Sequence, residues 1–133
     1  MIESLTELRV RYCEVDKMGI VHHSHYFSWF EVGRIQLLDE IGLSYKALEA
    51  NGYFLPVLYA QSEYYAPARF DDRVTLHTAI PKKPGVRIDM HCKMFCADKL
   101  LCQAQTQHAF INAQGQAIRP PKDLLAKFQS FFD

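Results

Sequence analysis

"YFSWFEVGRIQLLDEI", residues 26–41, is the stretch on which the fold turns. Phe27, Trp29, Phe30, Val32, Gly33, Ile35, Leu37, Leu38 and Ile41 recur at helical spacing yet leave almost no polar face. A helix that is apolar all round is expected to be buried all round. In a chain of 133 residues, the elements available to surround it are mainly strands. Gly33 in mid-helix gives up about 1 kcal/mol against alanine, which predicts that another backbone approaches closely there.

The flanking segments supply those strands. "LRVRYCEV" (8–15) alternates, with Leu8, Val10 and Tyr12 on one face and Arg9, Arg11 and Cys13 on the other. After the helix, Gly42-Leu43-Ser44 makes a break, and Ser44 is placed to cap a short helix "YKALEA" ending near Asn51-Gly52. "FLPVLYAQSEYYAP" (54–67) follows as a long strand that Pro56 must put at an edge or a bulge. "RVTLHTAI" (73–80), "VRIDMHCKMF" (86–95) and "LLCQAQTQHAFIN" (100–112) are further strands. Consecutive strands joined by short turns are expected to be antiparallel. The chain ends in a helix with an apolar stripe of Leu124, Leu125, Phe128, Phe131 and Phe132. The expectation is one α+β domain over residues 1–133: a strongly twisted antiparallel sheet of about five strands wrapped around one long helix, plus a C-terminal helix. The outer face of such a sheet needs cover, so a homo-oligomer is expected.

Composition excludes several functions. The apolar fraction is 49%, and fifteen basic residues balance fifteen acidic ones, so no bulk field draws nucleic acid or anionic membrane. No apolar run approaches the roughly 18 residues of a membrane span. "MIESLTEL" has no apolar core of a secretory signal; a cytoplasmic protein is expected. Cys92 and Cys96 lie about 13 Å apart along one strand, too far for a disulfide, and all four cysteines read as reduced, with Cys13 packed in its strand.

The chemistry concentrates just ahead of the long helix, in "CEVDKMGIVHHSHYF" (13–27). Asp16 precedes a turn at Gly19, and His22, His23 and His25 follow close to the helix entrance. A helix N-terminus offers free N–H groups and a dipole that favours negative charge. Ser24 as N-cap starts the helix there, although Ser28 with Glu31 also reads as a capping box one turn later. Glu31 and Arg34 are spaced for an ion pair. Three histidines invite a zinc reading, but catalytic zinc draws ligands from separated elements with an acid or a cysteine, so no metal is expected.

The combination of Asp16, Gly19, Ile20, Val21, His23, Tyr26, Glu31 and Arg34 with "EYYAPARFDD" (63–72) resembles the hotdog-fold acyl-CoA thioesterases of the 4-hydroxybenzoyl-CoA thioesterase and YbgC type, over nearly the whole chain. The resemblance implies thioester hydrolysis without a cofactor other than the coenzyme A of the acyl-CoA substrate, or an acyl carrier protein in its place. It implies dimers that pair into tetramers. It makes Asp16 the catalytic carboxylate and Gly19 the turn residue, and it puts His23 at the helix entrance as a catalytic or amide-donating residue. Val21, Ser24 and Tyr26 complete the oxyanion and substrate-positioning set. His25 and Glu31 are secondary candidates, with a buried structural pair to Arg34 the favoured role of Glu31. His25 stands where the family often has Asn, and Lys17 and Met18 replace small residues. Chemically, an acid beside the carbonyl carbon and donors aimed at its oxygen are what acyl transfer needs. Two rivals on the same fold are a hydratase or dehydratase and a non-catalytic thioester-binding domain.

Overall fold

The computed structural model describes residues 1–132. The chain runs β1 (Ile2–Arg9), a 3-10 turn (Tyr12–Glu14), α1 (Ser24–Glu40), α2 (Tyr45–Ala50), β2 (Val57–Tyr64), β3 (Arg73–Ile80), β4 (Arg87–Cys96), β5 (Lys99–Ala109) and α3 (Lys122–Gln129). The strands form one antiparallel sheet in the order β1-β3-β4-β5-β2, and α1 packs on β1, β3 and β4. This is the α+β hotdog arrangement expected from the sequence.

Two local expectations are corrected and one is refined. The first strand is Ile2–Arg9 rather than 8–15, because its partner β3 runs from Arg73 to Ile80 and pairs it in full register from Ile2↔Ile80 to Arg9↔Arg73. Beyond Arg9 there is no strand to pair with. Tyr12 is consequently exposed, and Cys13 is exposed in the 3-10 turn rather than packed in a strand. The early strand escaped notice because its inward face is Ile2, Ser4, Thr6 and Leu8, half of it polar.

The second point concerns the strands, which are antiparallel as expected but do not all pair in sequence order. β2 and β3 are consecutive but not neighbours, since β2 lies at the far edge on β5. The intervening segment crosses the end of the sheet: Tyr65 and Ala66 N–H donate to Leu101 C=O, and Asp71 N–H donates to Val10 C=O. Pro56 sits immediately before this edge strand, whose register shifts between Val57 and Tyr59, so edge and bulge are both present.

Thirdly, α1 is not buried all round. Trp29, Phe30, Leu37 and Leu38 are buried, while Phe27, Val32 and Ile35 are 37%, 43% and 39% exposed. The curved sheet covers one side of α1 and leaves the other apolar and open. The buried side divides into two cores. One gathers Tyr26, Trp29 and Phe30 with Val74, Leu76 and Met94; the other gathers Leu37 and Leu38 with Ile80, Ile88, Phe110 and Phe128. In α3, Leu124 and Phe128 are buried, but the helix ends at Gln129, so Phe131 lies past it and is exposed. Ser44 caps α2 through Ala47 N–H, as read from the sequence. All four cysteines are free, and burial pushes the Cys92 and Cys102 thiols up to about 11 and about 12.

Gly33 sits between the two cores. A Cβ there would lie 2.5 Å from Thr78 Oγ1 of β3, so the close neighbour is a buried side chain rather than the expected backbone. Overpacking of this kind costs about 1–3 kcal/mol, against roughly 1 kcal/mol of helix propensity gained from alanine. Gly33→Ala is therefore expected to lower the melting temperature of the wild type, yet to raise that of a Thr78→Ala background. A double-mutant cycle by thermal unfolding checks the change of sign.

Candidate active site

The loop between β1 and α1 is folded by its own polar groups. Val15 and Val21 form an antiparallel bridge, and Asp16 N–H donates to Ile20 C=O at 2.8 Å. Gly19 closes the turn with φ +80°, a conformation glycine adopts without strain, and its N–H donates to Asp16 C=O at 3.0 Å. Asp16 Oδ1 accepts from Met18 N–H at 2.8 Å and Ile20 N–H at 3.4 Å. One carboxylate oxygen thus holds the turn together. The other, Oδ2, has no hydrogen-bond partner among the described residues.

The loop is fastened to the fold from two sides. Val21 N–H donates to Ala68 C=O at 2.9 Å, and Ala68 N–H donates to the Tyr26 hydroxyl at 3.2 Å. Ile20 bridges Arg69, and Asp72 accepts from Arg69 N–H at 2.8 Å. The "EYYAPARFDD" motif is therefore the outer wall of the loop, and Asp72 is a turn residue within it. Tyr26 is buried, with its ring 5.0 Å from that of Tyr64 and 5.2 Å from that of Trp29. Burial raises its pKa, so the phenol stays neutral and serves as a strut.

Glu14 provides the inner fastening, and the sequence reading missed it. Its side chain is only 4% exposed. It accepts from Trp29 Nε1 and Arg11 N–H, each at 2.7 Å, and its backbone C=O accepts from His22 N–H at 3.1 Å. Burial alone would raise its pKa; the bonds from the Arg11 amide, the indole and the Arg11 guanidinium outweigh it, and the pKa falls below its ordinary value. A signal was present: Glu14 shares the face of Leu8, Val10 and Tyr12 in the alternation, where a carboxylate needs an explanation.

At the helix entrance, α1 begins at Ser24, one turn earlier than the Ser28–Glu31 alternative. The N-cap position is His23 rather than Ser24, and His22 does the capping: its Nδ1 accepts from Ser24 N–H at 3.2 Å and meets Ser24 Oγ at 2.8 Å. Val21 and His22 N–H are also spent, and Tyr26 N–H donates to His23 C=O. From Val21 to Tyr26, His23 N–H alone has no partner among the described residues. A pair of free donors was expected; one is free, and a second, Ser24 N–H, is held by an imidazole.

Asp16 and His23 line one cavity of about 420 Å³, together with Met18, Val21, His22, Tyr26, Tyr64 and Tyr65. Its wall is mainly apolar and aromatic, as a pocket for an acyl or aroyl group requires. His25 and Glu31 do not line it. The Glu31–Arg34 ion pair exists at 3.9 Å, but Glu31 is 66% exposed, so the pair is not the buried one expected. The rings of His22 and His23 lie 4.3 Å apart, tilted by 30°, and no group of three or more His, Cys, Asp or Glu among the described residues is arranged to hold a metal ion. Among the described residues, no helix is long and apolar enough to cross a membrane.

Removing the Glu14 carboxylate leaves buried N–H donors unpaired, which costs about 1–3 kcal/mol. Because its folded pKa is depressed, the Glu14 contribution is complete above the unfolded value near 4.5 and is lost as pH falls through the folded pKa. Glu14→Gln is expected to unfold at lower urea concentration at pH 7. The deficit against wild type should shrink progressively below pH 4.5; a deficit independent of pH would exclude the charged form as its source.

Comparisons with known proteins now bear on this geometry. Residues 10–128 match the family model described as the Thioesterase-like superfamily. The chain is 30% identical over 124 residues to the acyl-CoA thioester hydrolase YbgC of Escherichia coli O157:H7, covering 92% of each protein. It is 37% identical over 84 residues to the putative acyl-CoA thioesterase YneP of Bacillus subtilis (strain 168), a match spanning 63% of this chain and 61% of that protein. The crystal structure of the DHNA-CoA thioesterase from Staphylococcus aureus superposes with a TM-score of 0.93 at 28% identity, over 98% of this chain and 91% of that one. With the family model spanning residues 10–128 and a relative matched over 92% of each protein, this protein belongs to the thioesterase-like superfamily of the hotdog fold.

Proposed function

We propose that the protein is an acyl-CoA thioesterase that cleaves an acyl or aroyl thioester into the free acid and coenzyme A at the Asp16–His23 cavity. The observation that carries this reading is that Asp16 and His23 line one largely apolar cavity, while Asp16 Oδ2 and His23 N–H have no partner among the described residues. The relatives named as acyl-CoA thioester hydrolase and acyl-CoA thioesterase support coenzyme A as the thiol. An acyl carrier protein presents the same thioester and is the alternative carrier.

The proposed chemistry follows from these two groups. The thioester carbonyl enters with its oxygen toward His23 N–H at the positive end of α1. Asp16 supplies an electron pair to the carbonyl carbon, directly or by taking the proton of an attacking water. Negative charge then gathers on the oxygen facing the amide, where a preorganised donor is worth most. Collapse breaks the C–S bond, and the thiolate leaves to take up a proton. On the direct route, water then hydrolyses the acyl–Asp16 anhydride. Displacement of the His22 imidazole from Ser24 N–H would add a second donor. No metal enters the reaction as proposed.

We also propose that the working unit contains a second copy. The open face of α1, with Phe27, Val32 and Ile35, continues onto the edge strand β2, where Val57, Leu58 and Tyr59 are about half exposed. Apolar side chains next to an unpaired strand edge suit a self-complementary contact. Light scattering should give at least twice the 15.4 kDa chain mass, and Val32→Asp with Val57→Lys should lower it toward one chain. A wild type that runs as a single chain contradicts this.

Asp16→Asn is the sharp test of the chemistry, because an amide oxygen can still accept from Met18 N–H and hold the turn. Thiol release from a panel of acyl-CoAs is expected to fall about 100-fold or more while the melting temperature stays near wild type. Equal thiol release by both proteins removes Asp16 from its role. Hydrated or dehydrated acyl-CoA without thiol would instead identify a hydratase, and binding without product a thioester-binding domain.

A further inference from the structure

A second cavity of about 470 Å³ opens toward the C-terminal half of α1, where Arg34 meets Tyr45, Leu55 and His108. Arg34 is an unusual cation. Its side chain is 15% exposed, yet its guanidinium makes no hydrogen bond among the described residues, and its one ion pair, to Glu31, is loose at 3.9 Å. Burial lowers its pKa, a sign that little around it compensates the charge. Groups buried this far normally find a hydrogen-bonding partner. Next to it, the Tyr45 hydroxyl accepts from Leu55 N–H at 3.3 Å, which leaves its own proton to donate.

His108 does not compete for an acceptor. Its Nε2 meets Thr106 Oγ1 at 2.8 Å and its Nδ1 meets Leu55 C=O at 3.4 Å. Burial, with Arg34 nearby, pushes its pKa down to about 4, so it is neutral at physiological pH. Glu31 and Glu49 also line this cavity and oppose an anion there. Both are exposed, so water and salt screen their charges far more than the charge of Arg34.

A cleft between α1 and β2 runs from the Arg34 cavity in the direction of the Asp16 cavity. α1 makes its main contacts with β1, β3 and β4, and the β2 edge stands off from it. A smaller cavity lined by Phe27, Ser28, Ala60 and Val57 fills this cleft and reaches Glu31 and Arg34. Tyr64 at the other end of β2 lines the Asp16 cavity. From His23 to Arg34 is eleven residues of helix, about 16 Å of axis, shortened by the length of the arginine side chain.

We propose that the acyl group lies along the α1–β2 cleft from Asp16 to Arg34, and that the preferred substrate is the thioester of a medium-length acid carrying a second carboxylate at its far end. The guanidinium fork matches a carboxylate in two parallel hydrogen bonds, with the Tyr45 hydroxyl as a third donor. Apolar Phe27, Ala60 and Val57 flank the methylene chain between the two ends. This deepens the thioesterase reading and rests on it for the position of the thioester.

The test compares octanoyl-CoA with 7-carboxyheptanoyl-CoA, which has the same chain length and a terminal carboxylate, using wild type, Arg34→Met and Arg34→Lys. Wild type should show kcat/KM at least tenfold higher for the carboxylated substrate, mainly through KM. Arg34→Met should bring the ratio near one, and Arg34→Lys should restore part of it. A wild-type ratio of one or less overturns the proposal and leaves Arg34 a structural charge; that measurement does not depend on how well any variant folds. If neither substrate releases thiol although other members of the acyl-CoA panel do, the proposal is overturned; if no member of the panel does, the thioesterase reading fails. The Arg34 site is then decided by calorimetry with the same two thioesters: tenfold tighter binding of the carboxylated one upholds it, and equal affinity overturns it.

Discussion

The buried carboxylate of Glu14 is the constraint on which the site depends. It joins three pieces of chain that would otherwise move independently: the turn after β1 through the Arg11 amide, the long helix through the Trp29 indole, and the site loop through its own carbonyl and His22 N–H. A charge this well enclosed is stable only because donors surround it. The same donors fix where the loop begins and how α1 enters the sheet. Asp16 lies two residues on from Glu14, and His23 one residue on from His22, so both candidate groups inherit their positions from this node.

A second constraint is the two-sided character of α1. The sheet curves around one flank and packs two cores against it, while Gly33 lets Thr78 come close between them. The other flank stays apolar without a partner inside the chain. On the proposed reading an acyl group needs a dry channel, and the open apolar flank beside the edge strand β2 would supply one wall of it, which a second copy would close. The arginine on this flank carries the polarity that would define where such a channel ends.

Much of this was legible in the residues. The helix showed itself through "YFSWFEVGRIQLLDEI", and β3 and β4 through alternation, because local side-chain periodicity follows directly from burial on one face. Asp16 and Gly19 were visible as a turn, and the loop's resemblance to a thioesterase family pointed to the same residues. What was not legible depended on distant partners. The first strand hides because Ser4 and Thr6 occupy its inner face. The crossover of β2 is set by bonds to Leu101 and Val10 far along the chain, and no local pattern encodes it. The exposure of Phe27, Val32 and Ile35 follows from how far the sheet curves, which hydropathy alone does not report. His22 as the cap of Ser24 could not be told from its two neighbouring histidines by type or spacing.

The central claim is spatial: a thioester carbonyl fits between the Asp16 carboxylate and the His23 amide. A crystal structure of Asp16→Asn with an intact acyl-CoA tests it most directly. The account predicts the carbonyl oxygen within about 3 Å of His23 N, with the residue 16 side chain turned to the carbonyl carbon. A thioester bound elsewhere, or with its oxygen facing away from the start of α1, would contradict it.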